Sequence, residues 1–387
     1  METVSASEVA AARERLTRCR RLVVKIGSAL LADSNPDPFA RLAEQVSMLK
    51  AQGIDVVVVS SGAIALGLKP LGFVSRPKLL ADLQAAASVG QSILMARWQK
   101  AFHKNGLQVA QILLTHDDVD DRERYLNAQN AIRKLIEYNV VPVVNENDTV
   151  SVREIKFGDN DELAAHIAGL VEADVMALLT QTNGLFSSDP LVNPEARRLP
   201  MVKSVSKEVE ALASGAANLG TGGMSSKLRA VQHAARHGST TLILPGREDS
   251  VLTRALAGED LGTHFIAPDR KSGRAKQRWL ELAVRAQGRI VVDPGATQAI
   301  RKNASLLFVG VKEVHGFFRP GDPVDIISSE GTPVARGLVA VSSADLQRVC
   351  GKKQLEAEET LGCPVPQEVV HRDNLVLLEG GYNAQKP

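Results

Sequence analysis

Short apolar runs alternate with longer amphipathic stretches over the first two thirds of the sequence. The apolar runs are rich in β-branched residues and lack a polar–apolar alternation, which is typical of strands in a parallel sheet covered on both faces. Predicted strands comprise 22–26, 56–59, 109–114, 140–144, 175–179 and 241–244. Predicted helices comprise 39–52, 88–104, 125–138, 162–171 and 226–237. This order predicts an α/β domain, a three-layer sandwich with a mainly parallel central sheet.

Two segments depart from this alternation. Residues 149–157 alternate polar and apolar positions, which predicts a hairpin lying off the main sheet. Near Pro268 the chain becomes polar and basic, which is typical of an exposed linker, and short strand-like pieces follow it. Those pieces are 289–292, 306–309, 323–327 and 333–341. We therefore expect a first domain over 20–266, a linker over 267–286 and a small β-rich domain over 287–365.

Composition and charge narrow the class of protein. Hydrophobic residues make up 44% and charged residues 23%, an ordinary globular mixture that excludes a disordered chain. The formal charge of +2 provides no global field for nucleic acid or membrane. The sequence has neither a spanning apolar run nor an apolar signal-peptide core at its N-terminus. Its three cysteines are too few and scattered for a disulfide framework or a zinc site. These features predict a soluble cytoplasmic protein that does not enter membranes.

The candidate chemistry lies where predicted strands end, the edge at which open α/β sheets bind ligands. Lys25-Ile-Gly-Ser28 follows the first strand, and a lysine beside a glycine turn is suited to a phosphate. Ser60-Ser-Gly-Ala-Ile64 follows the second strand, and its small residues allow a ligand to approach the backbone. An ordinary strand-end lysine and tight strand-to-helix packing remain the alternative interpretations of these two clusters.

Two further clusters are more unusual. Asn145-Glu-Asn-Asp148 and Gly158-Asp-Asn-Asp161 place eight mostly polar residues close together, which favours a site for a small polar substrate and a metal. A solvated turn followed by a helix cap is the alternative. The segment 220–227, Gly-Thr-Gly-Gly-Met-Ser-Ser-Lys, leads into a helix and suits phosphate binding, although it has neither Walker A nor G-x-G-x-x-G spacing. A flexible glycine-rich loop is the alternative here.

Taken together, two lysines, a carboxylate cluster and several glycine turns indicate phosphoryl transfer, a reaction that depends on positioning and charge stabilisation. The eight histidines are scattered along the sequence. His233 and His237 are four residues apart on one predicted helix, but no third ligand accompanies them. We therefore expect this pair to lie on a solvated helix face.

The same motifs resemble, in order, those of the glutamate 5-kinase family in the amino acid kinase superfamily. The resemblance extends over about residues 20–375 and includes the four clusters together with Asp121-Arg-Glu-Arg-Tyr-Leu-Asn127 and Val370-His-Arg-Asp373. Residues 287–365 resemble a PUA-type domain. The resemblance implies transfer of a phosphoryl group from ATP, with Mg²⁺, to the γ-carboxylate of L-glutamate, the first step of proline biosynthesis. It also implies feedback inhibition by proline, a homo-oligomer and hand-over of the product to the next enzyme of the pathway.

The resemblance also implies roles for individual residues, and none of them is a dedicated metal ligand. Implied catalytic residues are Lys25, Lys227 and Asp161, of which the last would organise the two lysines or the metal. Implied glutamate-binding residues are Ser61, Asp148 and Asn160. Implied ATP-binding residues are Lys25, Thr180, Gln181, Thr221, Gly222, Gly223, Met224, Ser225, Ser226 and Lys227. Gln181 is a departure, because the family has an acidic residue at this position and glutamine cannot carry its charge. Asn218-Leu219 also replaces the usual serine-glycine pair.

Two other functions remain open at this stage. The alternative enzyme is another member of the superfamily, such as an acetylglutamate kinase or an aspartokinase. A PUA-type domain also raises the hypothesis of RNA binding. Residues 287–387 contain 11 lysines and arginines and 12 aspartates and glutamates, so the domain has no net positive charge for nucleic acid.

Overall fold

The structure is a computed structural model, and it describes residues 4–32, 37–150, 160–190, 192–214, 223–267, 280 and 286–378. The chain divides into two compact units, Met1–Lys271 and Ser272–Pro387. The predicted hairpin at 149–157 and the predicted linker at 267–286 lie almost wholly outside the described residues, so both stay predictions. In the described ranges, no helix has the length and apolarity that a membrane span requires.

The first unit is built on a mainly parallel sheet. Its described strands are β1 (Arg21–Ile26), β2 (Asp55–Ser60), β3 (Val109–Leu114), β4 (Val141–Glu146), β5 (Val175–Thr180), β6 (Met201–Val202), β7 (Thr240–Pro245) and β8 (Thr263–Phe265). They lie in the order β3-β4-β2-β1-β5-β7-β8-β6. Every neighbouring pair is parallel except β7 and β8. The predicted fold class is confirmed.

Helices cover this sheet. They are α1 (Ala6–Leu16), α2 (Ser28–Leu31), α3 (Pro38–Ala51), α4 (Ala63–Leu68), α5 (Leu80–His103), α6 (His116–Asp120), α7 (Arg122–Glu137), α8 (Asn160–Leu170), α9 (Lys207–Ser214), α10 (Met224–Arg236) and α11 (Val251–Leu256). Local chemistry sets several of their starts: Asp37 accepts a hydrogen bond from the backbone of Phe39 ahead of Pro38 at the first helical position. The predicted helix at 88–104 in fact begins at Leu80.

The centre of the sheet is apolar on both faces, as the uniform runs of the sequence predict. All residues of β5 are buried, and so are all but the first residue of β1 and of β2. Under the sheet, Trp98 packs against Phe39 and Phe102 with ring centroids 4.6 Å and 5.8 Å apart. The Trp98 indole N–H donates to Ser60 Oγ at 2.9 Å. This hydrogen bond anchors the end of β2 to the aromatic core.

Helices α4 and α5 touch through their backbones at two glycines. A Cβ on Gly90 would lie 1.7 Å from the carbonyl oxygen of Ala63, and a Cβ on Gly67 would lie 1.9 Å from that of Ala86. No side chain fits at either position, because real Cβ contacts are never so short. The pair therefore fixes the distance between the helix that follows β2 and the middle of α5.

The second unit is a small β-rich domain. Its described strands are β9 (Gly288–Val292), β10 (Val311–Gly316), β11 (Pro323–Ser328), β12 (Pro333–Leu338) and β13 (Leu375–Leu377), in the sheet order β10-β9-β11-β12-β13. The accompanying helices are α12 (Pro294–Arg301), α13 (Ser343–Arg348) and α14 (Gln354–Leu361). A strand at 306–309 was a wrong prediction: Phe308–Gly310 is a 3-10 turn and the strand starts at Val311. Leu306 and Phe308 are buried while Leu307 and Val309 are exposed, so the turn reproduces the alternation of a strand.

Candidate active site

The predicted clusters converge on one edge of the first unit. β1, β2 and β4 are adjacent and parallel, so their carboxyl ends, which carry Lys25, Ser60 and Asn145, lie side by side. Helices α8 and α10 begin at the same edge, as the contacts of Asp161 and Lys227 below demonstrate. Segments that are far apart in sequence therefore contribute to a single polar site.

A buried charge triad lies at its centre, formed by Lys25, Asp161 and Lys227. Asp161 is fully buried, with Oδ1 2.5 Å from Lys25 Nζ and Oδ2 3.1 Å from Lys227 Nζ. The hydroxyl of Ser226 donates to the same Oδ2 at 3.3 Å. Burial opposes ionisation of this carboxyl, but the two ammonium groups outweigh it and hold the pKa of Asp161 below its ordinary value.

The triad has an excess of positive charge, because one carboxylate faces two ammonium groups. Lys227 lies in the first turn of α10, where the helix dipole adds to the positive potential. Gly27 places no side chain against the other lysine, whereas a Cβ there would be in van der Waals contact with Lys25 Nζ at 3.9 Å. The arrangement is suited to binding an anion and to stabilising additional negative charge on it.

A network of side-chain amides lies beside the triad. Asn160 Nδ2 donates to the Ser60 carbonyl at 3.1 Å, to Ser61 Oγ at 2.8 Å and to Asn145 Oδ1 at 3.0 Å. Asn145 Nδ2 donates in turn to Gln91 Oε1 at 2.8 Å. Asn160 Oδ1 is buried and has no hydrogen-bond partner among the described residues. An unpaired buried acceptor is costly unless a ligand supplies the donor.

Asp148 provides a second acceptor in this region. The side chain is half-buried, and burial together with the nearby Glu146 raises the pKa of Asp148 to about 7, against the opposing effect of Arg76. A cationic ligand group would favour its ionised form. Binding of a positive charge would therefore lower the pKa of Asp148 and ionise this carboxyl.

The residues implied to bind ATP are only partly brought together. Gly223 caps α10, whose first turn contains Met224, Ser225 and Ser226. The hydroxyl of Thr180 donates to the Thr182 carbonyl at 2.7 Å and so stabilises its own turn. Gln181 is exposed, and Thr221 and Gly222 lie outside the described residues. The roles of these residues in nucleotide binding stay predictions.

Sequence reasoning gave no role to Asn145 or Gln91, although both belong to the amide network. Asn145 lies within a cluster that the sequence had marked, so its position at the end of β4 was a usable signal. The sequence contains no such signal for Gln91, because this residue lies in the middle of a long helix with no motif around it. The position of Gln91 at the site depends on the close approach of α4 and α5 at Gly90.

Comparison with known proteins decides the family. The profile of the amino acid kinase family matches residues 20–244, which contain both lysines and the carboxylate of the triad. The chain belongs to the amino acid kinase family. The profile of the PUA domain matches residues 288–361 of this amino acid kinase.

Relatives of this amino acid kinase over nearly its whole length are named glutamate 5-kinases. The protein of Pseudomonas paraeruginosa is 48% identical over 95% of this chain and 100% of its own length. That of Chromohalobacter salexigens is 46% identical over 95% of this chain and 98% of its own. Among solved structures, UMP kinase from Bacillus anthracis aligns with 64% of this chain and 96% of its own at 15% identity and a TM-score of 0.43.

Kinases use ATP in complex with a divalent cation, and this amino acid kinase therefore requires one. Within the described residues, no group of three or more His, Cys, Asp or Glu side chains could hold a metal ion. Both oxygens of Asp161 already face lysines. The described side chains thus offer no metal cage of their own.

This amino acid kinase also has a histidine cluster, formed by His116 on α6, His166 on α8, and His233 and His237 at the C-terminal end of α10. His166 lies against His233 with ring centroids 4.2 Å apart, and His233 Nε2 is 3.3 Å from His237 Nε2. The His237 ring is buried against α8, where a Cβ on Gly169 would lie 2.6 Å from it. The prediction of a solvated helix face was therefore wrong, because the helical period of α10 could not reveal that α8 covers this face.

We expect the histidine cluster to make folding stability depend on pH. Burial, followed by the neighbouring histidines, lowers the pKa of His166 well below its ordinary value. As the pH falls below about 6.5, the unfolded chain binds a proton at His166 that the folded chain does not bind. The free energy of unfolding is therefore highest above this pH and decreases as the pH falls. Unfolding in urea at pH values of about 7.5 and 5.5 should show a loss of about 1 kcal/mol from this group.

A His166→Gln variant should lose less stability on acidification than the wild type, although it starts from a lower value. His264, whose pKa burial lowers to about 4, supplies a residual dependence in both proteins. A His103→Gln variant is the matched control, because His103 is exposed on α5. Equal pH dependence in the wild type and His166→Gln would contradict the prediction.

Proposed function

We propose that this protein is an ATP-dependent glutamate 5-kinase that phosphorylates the γ-carboxylate of L-glutamate to L-glutamyl 5-phosphate, the first step of proline biosynthesis. The observation that carries the proposal is the position of the lysine–aspartate–lysine triad directly beside a half-satisfied amide network, with Asp148 in the turn that follows the strand of Asn145. The first feature is suited to a transferring phosphoryl group and the second to an amino acid. The relatives named glutamate 5-kinase support the same substrate.

In the proposed reaction, a γ-carboxylate oxygen of glutamate attacks the γ-phosphorus of ATP, and the bond from this phosphorus to the β,γ-bridging oxygen breaks to release ADP. A γ-carboxyl group with a pKa of about 4.3 is already ionised near neutral pH, so the reaction needs no general base. Asp161 accordingly holds Lys25 and Lys227 in place rather than accepting a proton. The two ammonium groups stabilise the negative charge on the transferring phosphoryl oxygens, which is the main contribution required of the protein.

Recognition of glutamate is assigned to the amide network and to Asp148. Asp148 and Asn160 Oδ1 accept hydrogen bonds from the α-ammonium group, whose charge stabilises the ionised form of Asp148. The Ser61 backbone N–H already donates to the Ile26 carbonyl at 3.3 Å, so the backbone at Gly62 is assigned to a carboxylate. Oriented in this way, glutamate directs its γ-carboxylate towards the triad.

The nucleotide site is proposed around the start of α10 and the end of β5. Thr180, Gln181 and residues 221–227 would surround ATP, with Mg²⁺ bound through the phosphates and water. Inhibition by proline, a homo-oligomeric state, hand-over of the product to the next enzyme and a cytoplasmic location remain part of the proposal. RNA binding by the second unit stays a prediction without a specific observation in its favour.

The proposal is tested by measuring ADP release by the purified protein with L-glutamate, N-acetylglutamate and L-aspartate in parallel. We expect turnover with glutamate to exceed turnover with the other two acceptors by a wide margin. Omission of Mg²⁺ should abolish it, and added proline should raise the KM for glutamate. A preference for N-acetylglutamate or aspartate would contradict the assigned substrate.

Asp148→Asn should raise the KM for glutamate by roughly ten- to a hundredfold at a pH of about 8, because a hydrogen bond to a charged partner is lost. With its pKa raised to about 7, Asp148 loses its charge as the pH falls, so kcat/KM of the wild type should also fall below that pH. The variant should lack this decline, and its sensitivity to proline should change in parallel. The exposed Asp117 provides the control variant Asp117→Asn. An unchanged KM in Asp148→Asn would refute the assignment.

A further inference from the structure

Gln91 is held at the substrate site by the backbone packing of its helix. The neighbouring Gly90 touches the carbonyl of Ala63 so closely that no Cβ fits there. One turn of α5 earlier, Ser88 Oγ lies 2.9 Å from Thr149 Oγ1 in the turn after β4. This part of α5 therefore lies along the end of β4, with Gln91 opposite Asn145.

The hydrogen bonds of the amide network have a fixed direction. Asn145 Oδ1 accepts from the backbone N–H of Glu146 at 2.9 Å, so its Nδ2 must face Gln91 Oε1. Asn160 Nδ2 donates to the Ser60 carbonyl, so Asn160 Oδ1 points away from the network. Gln91 provides the acceptor at one end, and an unpartnered buried acceptor, Asn160 Oδ1, lies at the other end among the described residues.

Asn145 depends on this glutamine. Its side chain is 2% exposed, and Gln91 Oε1 is an acceptor for its amide protons. Without that acceptor, Asn145 Nδ2 would be left unpaired in a buried position, which favours a change of rotamer. Asn160 Nδ2 would then keep only the Ser60 carbonyl and Ser61 Oγ as acceptors, and the direction of the Asn160 amide would be less well defined.

We propose that Gln91 is a positioning residue that gives the site its specificity for the α-ammonium group of the substrate. It acts through Asn145 to hold Asn160 with its Oδ1 presented to that group. The inference rests on the proposed function, because it concerns the amino acid that is phosphorylated. Glutarate has both carboxylates of glutamate and lacks only the ammonium group, so the ratio of kcat/KM for glutamate to kcat/KM for glutarate measures this recognition directly.

The test compares Gln91→Met, which removes the acceptor at similar volume, with Gln91→Glu, which retains a side-chain oxygen at the same position. We expect Gln91→Met to reduce the glutamate-to-glutarate ratio about tenfold or more, mainly through the KM for glutamate. Gln91→Glu should keep the ratio within about threefold of the wild type. Gln99→Met, at an exposed glutamine of the same helix, should leave it unchanged.

Gln91→Leu is the substitute if Gln91→Met fails to fold, as judged by circular dichroism. An unchanged ratio in the folded apolar variant would overturn the proposal, and so would an equal loss of the ratio in Gln91→Glu. A loss of kcat alone, with the ratio intact, would also overturn it, because general damage to the site does not discriminate between the two acids. Absence of glutamate-dependent turnover in the wild type would instead contradict the proposed function itself.

Discussion

Lys227→Ala should lower kcat by roughly a hundred- to a thousandfold, or about 2.7–4 kcal/mol, with a much smaller change in the KM for glutamate. The side chain is largely buried, lies in the first turn of α10 and is oriented by Asp161 at 3.1 Å. A charge held in this way acts chiefly on the negative charge of the transition state. Removing it therefore slows the chemical step more than it weakens substrate binding.

Steady-state ADP release at saturating ATP separates the two parameters. Lys25→Ala should show the same pattern, and Lys227→Arg should not restore the full rate, because a planar guanidinium does not reproduce a compact ammonium charge. Arg229→Ala is the matched control, since Arg229 is an exposed cation on the same helix. A kcat within a few-fold of the wild type in both alanine variants would show that the triad is only structural.

Asp161→Asn should have the largest effect on the folded state. Asp161 is fully buried between Lys25 and Lys227, so its neutralisation leaves two ammonium groups together with no counter-charge among the three. Breaking a buried ion pair in this way costs about 3–5 kcal/mol of unfolding free energy. Activity should also collapse, because the repelled lysines no longer converge on the phosphoryl group.

Urea unfolding and ADP release measure the two consequences separately. In the double variant Lys25→Met with Asp161→Asn, stability should recover in part because one buried charge remains instead of two, whereas activity should not recover. The adjacent exposed residue provides the control Glu162→Gln. Wild-type stability in Asp161→Asn would mean that water or the lysines themselves relieve the charge, contrary to the burial of the triad.

The sequence was sufficient to predict those parts of the fold that depend on local residue patterns. The uniformly apolar strands predicted the parallel sheet, which the structure confirms. The structure also brings Lys25, Asp161 and Lys227, which the family resemblance had singled out, together at one edge of that sheet. Two short strands at one end of the sheet, β8 and the edge strand β6, escaped prediction because two or three residues cannot establish a period. The placement of Gln91 was equally inaccessible, since it depends on a helix–helix distance.

The histidine cluster is another case in which local sequence could not predict a tertiary contact. The spacing of His233 and His237 was visible, but the burial of the pair depends on α8, which comes more than 60 residues earlier in the chain. Which face of a helix is covered by a distant segment is a tertiary property. Local periodicity therefore identified the helix and misjudged its environment.

The origin of the triad in three distant segments also governs how the chain can fold during synthesis. β1 is made first but lies in the middle of the sheet, and its second neighbour β5 follows about 150 residues later. Asp161 leaves the ribosome well before Lys227, so a nascent chain that buried this carboxylate early could neutralise it with Lys25 alone. Stable closure of the sheet around the site is therefore expected only after α10 and β7 have been translated, and a chain arrested before residue 224 should remain a client of chaperones rather than a partially active enzyme.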